Sequence, residues 1–100
     1  MRDKNYKLEL RSLAALEVIE AFDWYELQRQ GLGIDFLNEL EIFYQKLLQN
    51  PHTRSYYQKP VHSGKIERFP YVVVYEIFNE VIIVYSVFMA KQNPARKRTK

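Results

Sequence analysis

Cysteine is missing from this sequence of 100 residues, so disulfide bonds and thiolate metal sites are excluded. The first five residues contain no apolar signal core, and no apolar run approaches the length of a membrane-spanning helix. P-loop, dinucleotide-binding and nucleophile-elbow motifs are also missing. The two histidines, His52 and His62, do not have the spacing of metal ligands on a helix. We therefore expect a cytoplasmic protein with no metal, no cofactor and no membrane partner.

Apolar and aromatic side chains are abundant. Hydrophobic residues make up 47% of the chain, which is enough for one domain with a buried core but leaves no room for a second. Eight tyrosines and six phenylalanines suit both a small core and a binding surface, because they combine large rings with some polar tips. We predict a single domain over residues 1–94 and a basic, disordered tail over residues 95–100.

The charges are divided unequally between the two halves of the chain. Residues 1–50 contain six Lys or Arg and nine Asp or Glu, a net charge of −3, whereas residues 51–100 contain nine and three, a net charge of +6. The basic half is also the half with the strongest β signal. A basic sheet surface is one way to bind nucleic acid, although solvated surfaces explain the same charges.

The strongest local pattern predicts a hairpin in the C-terminal half. Two β-prone runs, residues 71–78 and 81–88, are separated by only two residues. Pro70 cannot donate a backbone hydrogen bond, so it is expected at the start of the first strand. Arg68 then lies just outside the packed region and places a positive charge on the rim of the sheet.

The N-terminal half predicts a short strand and the first of two helices. Residues 6–10 alternate apolar and polar side chains, as a half-buried strand does. Ser12 is a suitable N-cap for a helix over residues 13–29. In that helix the apolar positions at helical spacing are Ala15, Val18, Ile19, Phe22 and Tyr25, and the opposite side carries Glu17, Glu20, Asp23 and Glu26.

Glycine at residues 31 and 33 is expected to end the first helix, because glycine accepts the left-handed backbone conformation. A second helix is predicted over residues 34–49, closed by Asn50 and Pro51. Its apolar stripe is Phe36, Leu37, Leu40, Phe43, Tyr44, Leu47 and Leu48. The short link favours an antiparallel helical hairpin.

Residues 56–59 and 65–69 are each predicted as short strands, connected through Pro60 and Gly64. The predicted fold class is thus α+β: an N-terminal strand, an antiparallel two-helix hairpin, then a three- to four-stranded antiparallel sheet. Two helices cover only one face of such a sheet. The other face must find a partner or stay partly in contact with water.

Several short motifs occur in a characteristic order: Trp24-Tyr25-Glu26, Gly31-Leu32-Gly33 with Phe36-Leu37, Asn50-Pro51, Arg68-Phe69-Pro70-Tyr71 with Tyr75, and Val87-Phe88 ahead of Asn93-Pro94. Together they resemble the RelE/ParE toxin superfamily of bacterial type II toxin–antitoxin systems, which includes plasmid stabilisation proteins. The resemblance runs over nearly the whole chain. It implies a RelE-like toxin that inhibits growth and is wrapped and neutralised by a cognate antitoxin.

Ribosome-dependent nucleases of this superfamily cleave messenger RNA in the ribosomal A site, with an attack of the ribose 2′-hydroxyl on the adjacent phosphate. They use Arg, Lys and a C-terminal Tyr or His. This chain departs from that pattern, since Val72 stands where an arginine is frequent and the tail contains neither Tyr nor His. Stabilisation of the phosphate would then depend on Arg68, Lys65 and Lys91 as candidate catalytic residues. The candidate binding residues are Lys59, Tyr71, Tyr75 and Gln92.

Three functions remain open from the sequence. The first is a toxin that acts on translation or on DNA gyrase, the target of the ParE branch. The second is an active ribosome-dependent endoribonuclease with an altered basic site that binds RNA. The third is a catalytically silent binding module of the same fold. In the first two cases the antitoxin is expected to lay an acidic amphipathic segment over the basic sheet surface near Arg68 and Lys91.

Overall fold

The computed structural model describes residues 5–90. Its elements in chain order are β1 (Lys7–Leu10), α1 (Ser12–Gln28), α2 (Leu32–Gln49), a 3-10 turn (Pro51–Thr53), β2 (Tyr56–Gln58), β3 (Val61–Lys65), β4 (Tyr71–Phe78) and β5 (Val81–Met89). The predicted α+β order of a strand, two helices and an antiparallel sheet is confirmed. Neither helix of this described region is long and apolar enough to cross a membrane.

The strands form one sheet in the order β1-β5-β4-β3-β2. As predicted, β4 and β5 form the central hairpin, with Pro70 directly before β4 and Asn79 in the turn at φ +54°. Strands β2 to β5 pair antiparallel, whereas β1 pairs parallel with the first half of β5. Because β1 ends opposite Val84, it leaves the rest of the β5 edge uncovered.

The core lies between the two helices and one face of the sheet. Side chains alternate across a strand, so Tyr71, Val73 and Tyr75 of β4 face the helices. The predicted stripe of α2 packs against them, and all seven of its members are buried or half-buried in this core. Burial of such a stripe, rather than helix propensity, supplies most of the stability of a helix of this length.

Two predictions about α1 are wrong. The helix begins at Ser12 itself and its N-cap is Arg11, so the Ser12 side chain makes no capping hydrogen bond. The buried face also differs in part from the predicted one: Tyr25 is buried as predicted, but Ala14 and Ala21 are buried too, whereas Ile19 is 57% exposed. The physical reason is that α1 carries apolar residues around its whole circumference. Its small alanines allow the closest approach to the sheet.

The second predicted short strand is also misplaced, since β3 spans Val61–Lys65 and not residues 65–69. Gly64 lies inside this strand rather than in a connection. A Cβ atom there would lie 2.6 Å from Cζ of Phe43, so glycine is required for the close approach of the α2 ring. Residues 66–70 instead form the loop into β4, in which Arg68 adopts φ +70°.

The link between the helices confirms the prediction for Gly31 but not for Gly33, because α2 begins at Leu32 rather than at residue 34 and includes Gly33. Gly31 takes φ +91°, a conformation that L side chains rarely adopt. The Glu26 carboxylate of α1 accepts hydrogen bonds from the backbone N–H groups of Gly31 at 2.8 Å and Gly33 at 2.7 Å. This carboxylate therefore satisfies two donors at the start of α2, which otherwise have no partner within the helix.

Replacing Gly33 by Ala is expected to destabilise the fold by about 1–3 kcal/mol, because the added Cβ would lie 2.7 Å from the carbonyl oxygen of Phe22. Helix propensity alone predicts the opposite sign, a gain of up to about 1 kcal/mol. Urea unfolding measures which effect dominates. The matched control is Asn38→Ala at an exposed α2 position, which should be neutral or slightly stabilising. Stabilisation by Gly33→Ala would contradict the close packing of the two helices.

Candidate functional site

The face of the sheet that points away from the helices is the first candidate surface. Alternation along β4 places Val72, Val74 and Glu76 on this face, and none of them belongs to the core that packs against the helices. Neighbouring aromatic rings add to it, with the centroids of Tyr57 and Phe88 6.5 Å apart. We call this surface the open sheet face. It is partly apolar, and the surrounding side chains leave Val74 only 7% exposed.

A groove of about 360 Å³ lies on the open sheet face. It is lined by Tyr57, Gln58, Lys59, Pro60, Val61, Val74 and Tyr85. The Tyr85 hydroxyl donates a hydrogen bond of 2.6 Å to Oε1 of Glu76, and this bond to the carboxylate raises the pKa of Tyr85 above its ordinary value. Aromatic rings beside a lysine can stack on nucleobases and attract phosphate.

Arg68 was predicted as a phosphate-stabilising cation, and the structure places its guanidinium against α2. Its nitrogens lie 3.7 Å from a carboxylate oxygen of Asp35 and 3.3 Å from one of Glu39. The side chain remains 56% exposed, so these ion pairs contribute little stability, roughly 0–1 kcal/mol each. They nevertheless balance the positive charge on this rim. The loop around Arg68 is therefore not the uncompensated basic surface that the sequence suggested.

The other predicted cations are only partly brought together. Lys65 and Arg68 line one shallow depression of about 580 Å³ in the loop between β3 and β4. Lys59 precedes the opposite end of β3, roughly 13 Å away at about 3.3 Å per residue. Lys91 and Gln92 lie outside the described residues. Within residues 5–90 the predicted catalytic and binding cations thus form two separate groups.

Tyr71 and Tyr75 were predicted to bind a partner, but both lie in the core. Tyr75 is fully buried, its hydroxyl donates a 2.7 Å hydrogen bond to the carbonyl oxygen of Pro51, and burial raises its pKa to about 12. Tyr71 packs against Phe36, with ring centroids 5.0 Å apart. Their positions support packing roles, because alternation along β4 turns both side chains toward the helices.

His62 is part of the same packing. It is buried on β3 between the rings of Tyr56 and Tyr75, and its Nδ1 donates a 2.9 Å hydrogen bond to the carbonyl oxygen of Arg54. This contact fixes Nδ1 as the protonated nitrogen. Residues 5–90 contain no cluster of three metal-ligating side chains.

A second surface was missed by the sequence patterns and lies on α1. Five of its apolar side chains are each more than half exposed: Leu13, Leu16, Ile19, Trp24 and Leu27. A groove of about 300 Å³ adjoins them between α1 and the uncovered β5 edge, lined in part by Glu20, Trp24, Phe88 and Met89. The sequence of α1 does indicate such a surface, because it contains more apolar residues than one buried helix face accommodates.

Comparison with known proteins identifies the fold. No family model matches the chain, and no curated protein matches it. A chain of a solved structure described as the chromosomal ParDE TA system from P. aeruginosa is similar with a TM-score of 0.77. The two share 14% sequence identity over 87% of this chain and 98% of that chain. At this identity the likeness concerns the fold, and this chain has the RelE/ParE-like α+β fold.

Proposed function

We propose that the chain is the toxin of a type II toxin–antitoxin system, a cytoplasmic protein that inhibits growth through translation or DNA gyrase and is neutralised by a cognate antitoxin. The observation that carries this proposal is the shared fold with a ParDE chain over nearly the full length of both. The ordered motifs from Trp24 to Phe88 support it independently. Because one fold can serve several functions, the target must be argued from the surfaces.

The surfaces support a ribosome-dependent nuclease less well than a toxin without nuclease activity. Messenger cleavage requires positive charge beside the reacting phosphate, and the Arg68 cation is already balanced by Asp35 and Glu39. The groove with Tyr57, Lys59 and Tyr85 favours contact with RNA, since rings and a cation line it together. We therefore keep the ribosome-dependent nuclease as the second candidate and a non-nucleolytic toxin as the first.

Inducible expression of the chain tests the proposal. Growth arrest is expected, and co-expression of a small protein encoded beside the gene should relieve it. Pulse labelling of new protein and gel analysis of plasmid supercoiling, measured in the same cultures, separate the two targets. Normal growth with a folded chain at high level would contradict the toxin function and favour the silent binding module.

The nuclease alternative has its own test. If it holds, Arg68→Ala should reduce cleavage of ribosome-bound messenger at least tenfold, because one charge-stabilising group is worth about 3 kcal/mol of the barrier. Unfolding free energy should change by less than about 1 kcal/mol, since the ion pairs are exposed. Lys46→Ala, which removes an exposed cation of α2, is the matched control. Growth arrest without cleavage, accompanied by stalled gyrase complexes, would exclude the nuclease.

A further inference from the structure

Four of the five exposed apolar side chains of α1 form one continuous face, and Ile19 lies to one side of it. Leu13, Leu16, Trp24 and Leu27 follow a spacing of three or four residues around Glu20, so all five side chains lie along one side of the helix. We call these five residues the outer face of α1. The opposite side, with Ala14 and Ala21, is buried against the core. A helix that is apolar on both sides is usually buried on both, so a continuous exposed apolar face indicates an interaction surface.

The charges on the outer face identify the kind of partner. Glu20 is exposed at its centre and Asp23 lies beside it, and no salt bridge within residues 5–90 involves either. Glu17, one turn earlier, is engaged differently, because its Oε1 accepts hydrogen bonds from Oγ of Ser86 and N–H of Val87. Glu20 and Asp23 thus give an apolar face a negative centre.

A second copy of this chain matches the apolar positions but not the charges. In an antiparallel pair of α1 helices related by a two-fold axis, Leu13 would face Leu27 and Leu16 would face Trp24 of the other copy. The same axis would bring the two Glu20 carboxylates together. Like charges in such a position oppose association, so a helix of the same apolar spacing but opposite central charge fits better.

We infer that the outer face of α1 binds an amphipathic helix of another protein. The apolar side chains of that helix pack against the three leucines and the tryptophan of the outer face, and it carries a Lys or Arg opposite Glu20. The adjoining groove gives space for one large apolar side chain beside Phe88 and Met89. Only the identification of this helix with the antitoxin rests on the proposed function. The surface and the charge differ from the acidic segment and basic sheet that the sequence suggested.

Trp24 is the only tryptophan of the chain and lies on the outer face, so its fluorescence reports binding directly. The probe is a second full-length copy that carries Glu20→Lys together with Trp24→Phe, which makes it non-fluorescent at this position and supplies the opposite charge. The matched control copy carries Trp24→Phe alone. Titration of the unmodified chain with the probe should reduce quenching of Trp24 by acrylamide.

The probe is expected to bind at least tenfold more tightly than the control copy, because one central contact changes from repulsion to attraction. The affinity ratio should fall at high salt. The copy that keeps Trp24 should lose this binding when it carries Leu16→Ser. It should retain the binding when it carries Ile42→Ser, a change at an exposed apolar position of α2.

Three results would overturn the inference. Equal binding of the control copy would show that the face serves self-association, and no binding of the probe would show that it accepts no such helix. The third is a Trp24 that is already shielded from acrylamide and becomes accessible after Arg96, Lys97 and Arg98 are replaced by Gln. The C-terminal residues of the chain itself would then occupy the face. None of these results depends on whether the chain arrests growth.

Discussion

Leu40→Ala should lower the free energy of unfolding by about 2–5 kcal/mol, as expected for loss of a buried leucine together with the cavity that remains. Leu40 lies in α2, is 3% exposed and belongs to the core that joins the helices to the sheet. Urea denaturation followed by circular dichroism measures the change. An effect of this size would be a large fraction of the total stability of a domain of 100 residues.

The matched control is Ile42→Ala, two residues later on the same helix. Ile42 is 47% exposed, so its truncation removes little buried area and should cost less than about 1 kcal/mol. Both variants change helix propensity in the same direction, which leaves burial as the main difference between them. A loss below about 0.5 kcal/mol for Leu40→Ala would place this side chain on the surface.

The accuracy of the sequence predictions follows from how local their signals are. The hairpin of β4 and β5 was predictable because two β-prone runs flank a two-residue turn. The apolar stripe of α2 was predictable because the polar residues of this helix leave only one side apolar. In α1 apolar residues occur on every side, so periodicity could not select between Ile19 and Ala21. The neighbouring sheet and helix make that choice.

The position of β3 depended on contacts distant in sequence. Residues 62–64, His-Ser-Gly, have little β propensity, and they form a strand because Val73 to Tyr75 of β4 pair with them. Glycine is typical of turns, so the sequence predicts Gly64 in a connection between strands. In the structure glycine is needed at this position because of the ring of Phe43, a residue that lies 21 positions earlier in the chain.

The candidate site was only partly predictable. The sequence indicated that one sheet face would lack helices, and the structure shows the open sheet face with its groove. It did not indicate that Arg68 meets Asp35 and Glu39, because these acids lie on a different element. The run from Tyr71 to Phe78 is nearly continuous in apolar residues, so the inward direction of Tyr71 and Tyr75 was not visible.

Raising the pH from about 10 to about 12 should destabilise the fold by roughly 3–5 kcal/mol through two buried tyrosines. Burial raises the pKa of Tyr25 to about 12 and that of Tyr75 to about 12, from an ordinary value of 10.0. The unfolded chain therefore loses these protons first. Their contribution is fully present below pH 10 and is lost as the pH rises toward 12.

Tyr75 contributes about 2–3 kcal/mol, because one pKa unit corresponds to about 1.4 kcal/mol. Tyr25 contributes less, because part of the rise in its pKa comes from its neighbour Tyr71. Burial also raises the pKa of Tyr71 and of Tyr44, which acts in the same direction. Urea unfolding at several alkaline pH values, compared with tyrosinate absorbance of the folded chain, measures this loss.

Tyr75→Phe separates the tyrosine effect from the titration of lysines, which both proteins share. At neutral pH the variant should lose about 1 kcal/mol, since the hydrogen bond to the carbonyl oxygen of Pro51 is removed. At alkaline pH it should lose about 2–3 kcal/mol less than the parent chain, because a phenylalanine cannot ionise in the unfolded state. The matched control is Tyr57→Phe, at a side chain that is 59% exposed, which should leave the alkaline loss unchanged. An identical alkaline loss in the parent and in Tyr75→Phe would mean that the Tyr75 hydroxyl reaches water, and the packing of β4 against the 3-10 turn would then be wrong.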